Sequence, residues 1–193
     1  MRDIILASQS PRRKQLLEWA EVPFEVVIRS TDETYPEGMD VAQIPIHIAQ
    51  QKAIAVKEYL QSAFHGQHTH SIILAADTIV VLGDTVICKP KDREDAIHIL
   101  SSLSGQSHRV ITGVVLLSGE KQIGFSDITE VEFHPLTTEQ VEFYIDKYHP
   151  YDKAGAYAIQ EWIGVIGIKS VKGDFYNVMG LPVSRVVQVL GNF

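Results

Sequence analysis

The segment Ile72-Ile-Leu-Ala-Ala-Asp-Thr-Ile-Val-Val-Leu82 constrains the fold of this chain more than any other stretch. Its near-continuous apolarity predicts a strand buried on both faces, as in the middle of a sheet covered by helices. Asp77 interrupts the run. An ionised carboxylate in apolar surroundings is costly unless it is paired or bound to a metal, so Asp77 requires either a partner or a chemical task, and a task is favoured.

The rest of the chain alternates strand and helix signals around that centre. Ile4 to Ala7 reads as a short strand, followed by a helix with Ser10 as N-cap and Pro11 at the first helical position. Phe24 to Ile28 predicts a second strand, and Ser30 to Gly38 a polar loop that contains Glu33. Apolar residues at helical intervals from Val41 to Leu60 place Lys52 on a long helix. After the central strand, Gly83-Asp84 turns the chain into a strand at Thr85 to Cys88, and Asp92 to Leu103 returns to helical periodicity. Arg109 to Leu117 and Ile123 to Phe133 predict a hairpin closed at Ser118 to Lys121. Thr137 and Gln140 form a capping-box pattern before a helix over Thr138 to Tyr148. A strand is expected near Val165 to Val171, then a turn at Lys172-Gly173-Asp174 and a closing helix after Pro182. No linker or repeat interrupts this order. The expectation is α/β, a single domain over residues 1–193 with a mixed central sheet flanked by helices.

Seventeen basic against 24 acidic residues give a net charge of −7, which disfavours nucleic acid and anionic membrane as partners. A few cations gathered in one cleft would still accept a small anionic substrate. Cys88 is the only cysteine, so no intrachain disulfide and no thiolate metal cage can form, and a reducing, cytoplasmic location is expected. The apolar run at the N-terminus is too short for a signal-peptide core or a membrane span.

Four constellations carry potential chemistry. Ser8-Gln-Ser-Pro-Arg12-Arg13 lies between a strand and a helix, where backbone N–H groups, hydroxyls and guanidiniums suit a phosphate. An N-capped helix with solvated arginines would use the same residues. Asp77-Thr78 is the second. Lys89-Pro90 follows a short hairpin and can turn back over the Asp77 cleft, although most lysines are simply solvated. The segment Gly155-Ala-Tyr-Ala-Ile-Gln160 would let a ring approach the backbone beside a carboxamide, or would merely make a tight packing turn. His65, His68 and His70 lack an accompanying carboxylate, and no metal site is expected there. Cys88 is expected to be a packed cysteine without nucleophilic partners.

Taken together, Leu6 to Leu17 (LASQSPRRKQLL), Ala75 to Val81 (AADTIVV), Lys89-Pro90, Ser104 to Gly113 (SGQSHRVITG) and Asp152 to Gln160 (DKAGAYAIQ) resemble the Maf family, in order and over nearly the whole chain. The resemblance implies an α/β fold similar to that of inosine triphosphatases. It also implies a nucleoside triphosphate pyrophosphatase that uses a divalent metal to release pyrophosphate and a nucleoside monophosphate, removing unwanted or modified nucleotides. By the same resemblance Asp77 is the proton acceptor, while Ser8, Arg13, Lys52 and Lys89 handle phosphate and Glu33 is the loop carboxylate for metal. Arg12, Thr78 and Gln160 match the subgroup that prefers dTTP and UTP over 7-methyl-GTP, a set that an inosine or xanthosine triphosphatase would not need. Gln51 and Cys88 depart from the family pattern, where Glu is frequent at both positions.

An oxygen-rich ligand set implies Mg²⁺ or Mn²⁺ as cofactor. Which carboxylate holds the metal and which takes the proton stays open at this level. The family is consistent with a homodimer, although no heptad or apolar stripe in the sequence carries one. Its association with arrest of septum formation also suggests an alternative, a non-enzymatic nucleotide-binding regulator of cell division.

Overall fold

The computed structural model describes residues 3–63 and 71–193. Its seven strands are β1 (Ile4–Leu6), β2 (Glu25–Val26), β3 (Ile72–Leu82), β4 (Thr85–Ile87), β5 (Ser107–Ser118), β6 (Lys121–Phe133) and β7 (Ile168–Lys172). They form one sheet in the order β2-β1-β3-β5-β6-β7, with β4 paired to β3. The sheet is mixed: β1 runs parallel to β2 and β3, whereas β4 is antiparallel to β3 and β7 to β6. The helices are α1 (Pro11–Trp19), α2 (Ile44–Ala63), α3 (Arg93–Leu103), α4 (Thr138–Tyr148), α5 (Trp162–Gly167), α6 (Phe175–Met179) and α7 (Val183–Gly191).

By its internal contacts the chain divides into two compact units. The first holds residues 1–77, 112–127 and 180–193, and the second 78–111 and 128–179. In the first, α2 lays Ala49, Ala53, Val56 and Leu60 against Ile5 and Ala7, Ile73 and Ala75, and Val115 and Leu117. Each large aliphatic side chain buried in this way contributes roughly 1.5–3 kcal/mol. The start of α2 sits directly on β5, because a Cβ at Gly113 would fall 2.2 Å from the backbone of Pro45 and Ile46. Only glycine permits that approach.

In the second unit, α3 begins with the Asp92 side chain accepting from the Asp95 N–H at 2.9 Å. The expected capping box of α4 is complete, with Thr137 Oγ1 accepting from Gln140 N and Gln140 Oε1 accepting from Thr137 N. Both hairpins close through two residues whose first is a left-handed glycine, Gly83 (φ 60°) between β3 and β4 and Gly119 (φ 58°) between β5 and β6. That is the glycine position of the type II′ turn, whose twist matches the flanking strands.

Some local expectations are corrected. Residues 162–167, expected in part as strand, form α5, and the strand is confined to Ile168–Lys172. The β-branched run around Val165 suggests a strand, but the buried residues Ile163 and Gly167 lie four apart, the helical interval. A Cβ at Gly164 would collide with the Ile159 carbonyl, so this turn of helix is pressed onto the preceding loop. The second strand shrinks to the exposed pair Glu25–Val26, and α6, over Phe175–Met179, is a helix that the sequence reading did not include. Cys88 is exposed rather than packed, because it falls just beyond the last paired residue of β4. The expectation about His65, His68 and His70 lies outside the described residues.

Candidate active site

Burial along β3 is complete except at Asp77 and Thr78 in its middle and Leu82 at its end, all three half-buried. The break in mid-strand is where Asp77 meets charge from outside β3. Asp77 Oδ1 accepts a hydrogen bond from Lys52 Nζ at 2.7 Å, and the same ammonium stands 2.8 Å from Glu33 Oε1. Lys52 therefore bridges carboxylates from a central strand and from the loop before α2. Its placement follows from α2 itself. Ile48, Lys52 and Val56 are spaced four apart, so the lysine stem lies on the helix's buried stripe and carries its charge to the stripe's edge.

Glu33 takes a left-handed backbone conformation, φ 50°, which is unfavourable for a residue with a side chain. Two ties to α2 hold it there. One is the Lys52 ion pair; the other is Gln51, whose Nε2 donates to the Thr34 carbonyl at 3.0 Å. His47, one turn earlier, brings its Nε2 to 3.1 Å from the same amide nitrogen. Gln51 was singled out from sequence only as a departure from the family pattern, and His47, its neighbour beside the Glu33 loop, was missed. Their i, i+4 spacing on α2 is the only signal that would have linked them.

Arg13 is 8% exposed on the first turn of α1. Its Nε donates to the Gly180 carbonyl at 2.7 Å and its Nη1 to Ser8 Oγ at 3.1 Å. Burial pushes the guanidinium pKa down, Asp77 pulls it up, Arg12 pushes it down and Glu33 pulls it up. Arg13 thus shares a field with both carboxylates of the Lys52 cluster. Ser10 occupies the N-cap position but makes no side-chain cap bond. Ser8 takes that part, accepting from Ser10 N at 3.2 Å as well as from Arg13. With both acceptor positions of Ser8 Oγ used, its O–H proton is the group left to donate.

The first unit thus brings together Ser8, Arg12, Arg13, Glu33, Lys52 and Asp77. The remaining candidates belong to the second unit. Thr78 directly follows Asp77 on β3. Lys89 is exposed beyond β4 and makes no ion pair among the described residues. Gln160 is exposed, while residues 155–159 before it are all buried. Its loop contains two successive left-handed residues, Gly155 (φ 74°) and Ala156 (φ 55°). A Cβ at Gly155 would stand 3.0 Å from the Val80 side chain, so the loop lies tightly over β3. The turn is closely packed, as the tight-turn reading expects, and presents an exposed carboxamide at its end.

Glu33 and Asp77 already converge on one cation, and both offer hard oxygen donors, so they fit a divalent metal such as Mg²⁺. No group of three or more His, Cys, Asp or Glu side chains capable of holding a metal occurs among the described residues. Two protein carboxylates suit an ion that keeps waters and takes further oxygens from substrate phosphates. Among the described residues, no helix is long and apolar enough to cross a membrane.

The fold and this cluster define an α/β protein with a carboxylate pair clasped by a lysine and flanked by a buried arginine, the equipment of an anion-handling site. The chain belongs to the Maf family: the family's profile, described as Maf-like protein, matches residues 3–193. It is 49% identical to the dTTP/UTP pyrophosphatase of Cytophaga hutchinsonii, over 97% of this chain and 83% of that protein. Similar relatives of the same name occur in Parabacteroides distasonis, at 47% identity over 98% of this chain and 95% of the relative, and in Bacillus cytotoxicus, at 46% over 100% and 96%. Among solved structures, the Staphylococcus aureus Ham1 protein is similar at a TM-score of 0.43 and 13% identity, over 68% of this chain and 72% of that one.

Proposed function

We propose that this chain is a nucleoside triphosphate pyrophosphatase that hydrolyses dTTP and UTP at the α–β phosphoanhydride, releasing the monophosphate and pyrophosphate. The observation that carries the reading is the Lys52 ammonium shared by Asp77 and Glu33 beside the buried Arg13. Relatives at 46–49% identity over nearly the full chain bear that activity in their names, which supports the substrate class.

In this reading Asp77 is the proton acceptor. Its Oδ1 is held by Lys52, and Oδ2 is the oxygen left to take the proton of the attacking water. Lys52 fixes the orientation of that carboxylate and, with Arg13 and Lys89, stabilises negative charge on the phosphates. The Ser8 hydroxyl donates to a phosphate oxygen while its own oxygen keeps the Arg13 guanidinium in place. Glu33, with Asp77 beside it, would hold Mg²⁺ or Mn²⁺, which when bound neutralises phosphate oxygens. Arg12, Thr78 and Gln160 select the pyrimidine nucleotide, with the Gln160 carboxamide donating to a ring carbonyl and accepting from the imide N–H.

We further read residues 1–193 as one Maf-like domain acting in the cytoplasm, in keeping with a single exposed cysteine. Pyrophosphate release measured over UTP, dTTP, CTP, GTP and 7-methyl-GTP with Mg²⁺ or Mn²⁺ tests reaction and substrate class together. Fastest turnover of UTP and dTTP is expected; release from none of the five would overturn the enzymatic reading.

A further inference from the structure

The Gln160 carboxamide makes no hydrogen bond of its own among the described residues, so its position is set by the backbone on either side. That backbone is anchored from α4. Tyr144, fully buried, accepts a hydrogen bond from the Ala158 N–H at 3.1 Å, two residues before Gln160. The same hydroxyl donates to the carboxylate of Glu161, the residue immediately after it. A single oxygen thus clamps both flanks of the exposed residue. Glu161 is also tied back to the loop, because its backbone N–H donates to the Ala158 carbonyl at 3.1 Å. Its Oε1 stands 3.7 Å from the buried Lys153 ammonium.

The clamp sits on a rigid base. The Tyr144 ring stacks on Tyr148 with centroids 5.0 Å apart, and α4 is fixed at its start by the Thr137–Gln140 capping box. On the opposite side of the loop, the Tyr157 hydroxyl lies 2.7 Å from His108 Nε2 on β5. Residues 155–159 are held by packing, whereas the 158–161 turn is held at both ends by the Tyr144 hydroxyl, with the longer Lys153 ion pair adding to its hold on Glu161. Rotation of that turn is what would swing the carboxamide away from a base edge.

We infer that Tyr144 is a specificity-positioning residue, its hydroxyl setting the frame in which Gln160 meets the nucleobase. This rests on Gln160 being the base-reading group proposed above. Tyr144→Phe in the full chain removes only the oxygen. It should lower kcat/KM for UTP and dTTP by roughly tenfold, the size expected when a buried N–H loses its partner. The loss should fall mainly on KM, and GTP hydrolysis should change little, so the pyrimidine-to-purine ratio narrows. A uniform loss over all nucleotides, or an unchanged ratio, overturns the proposal.

Should Tyr144→Phe fail to fold, Glu161 supplies a second route to the same hydroxyl. Glu161→Gln keeps an acceptor for it and should preserve the ratio, whereas Glu161→Ala should narrow it; equal ratios in the two variants overturn the proposal. Gln160→Glu, measured in parallel, separates the two ideas. If it narrows the ratio and Tyr144→Phe does not, only the positioning role is wrong. If neither does, base reading by Gln160 is wrong and the positioning role falls with it.

Discussion

Asp77→Asn keeps the volume of the side chain and an oxygen able to accept from Lys52, yet removes the base. Its consequences for stability and for rate separate widely. In the wild-type chain Lys52 Nζ lies 2.7 Å from Asp77 and 2.8 Å from Glu33, so the ammonium keeps one carboxylate after the change. Replacing a charge-assisted hydrogen bond by a neutral one costs about 1–2 kcal/mol. For a chain of this length that corresponds to a Tm lower by roughly 2–8 °C. Even a protein with only about 5 kcal/mol of stability would then be about 1% unfolded at 25 °C. Loss of a general base, by contrast, lowers turnover by roughly 10²–10⁴-fold. Unfolding therefore cannot imitate the catalytic effect. Steady-state pyrophosphate release with UTP, beside a thermal melt of the same preparation, provides both numbers. A folded variant that retains more than about a tenth of wild-type kcat would refute the assignment of Asp77 as proton acceptor.

Lys52→Ala leaves Glu33 and Asp77 without their shared cation, so kcat/KM should fall by roughly 10²-fold together with Tm. Lys89→Ala should lower kcat/KM with no change in Tm, because Lys89 is exposed without an ion pair among the described residues; wild-type kcat/KM in both variants would eliminate the phosphate role. Gln160→Glu should weaken UTP and dTTP hydrolysis by about 1–3 kcal/mol in transition-state terms and GTP hydrolysis less, read as kcat/KM, with a uniform loss refuting base reading. For His108, burial lowers the imidazole pKa from 6.5 to about 4, so the unfolded chain binds a proton in that interval that the folded chain rejects. Stability should rise with pH across it, with about 3 kcal/mol lost on acidification from pH 7 to pH 4. Urea unfolding at several pH values should show the slope flatten in His108→Asn, and an identical slope in the variant would disprove the contribution.

Much of the sheet was legible because its signals are periodic and local. The β3 run, the two hairpins with glycine at the turn, and the Thr137–Gln140 box each depend on residues a few positions apart, and each forms where the sequence places it. The failures share a different cause. Residues 162–167 have the composition of a strand, but they form a turn of helix in which Gly164 fits against the Ile159 carbonyl and Gly167 against Phe133 and Leu136. Ser10 has the identity and position of a cap, yet the neighbouring Ser8 takes the bond because Arg13 already holds its hydroxyl in place. Tertiary partners decided both cases, and no window of sequence contains them.

Asp77 shows how far a single anomaly can be carried from sequence. A carboxylate in an apolar strand required a partner or a chemical task, and the structure supplies a partner in Lys52, 25 residues earlier in the chain. Lys52 carried the complementary anomaly, a cation on the buried stripe of an amphipathic helix between Ile48 and Val56. Two misplaced charges of opposite sign, one on a strand and one on the helix packed against that sheet, are far more informative together than either alone. Glu33 could not be drawn in by such logic, since a glutamate in a polar loop violates no rule; what singles it out is its left-handed backbone, visible only in three dimensions. With Arg12 and Arg13, these groups make three positive and two negative charges, so the cluster keeps a surplus of positive charge. Two carboxylates offset most of the repulsion among the three cations, and the surplus that remains is of the sign that attracts an anion such as a triphosphate.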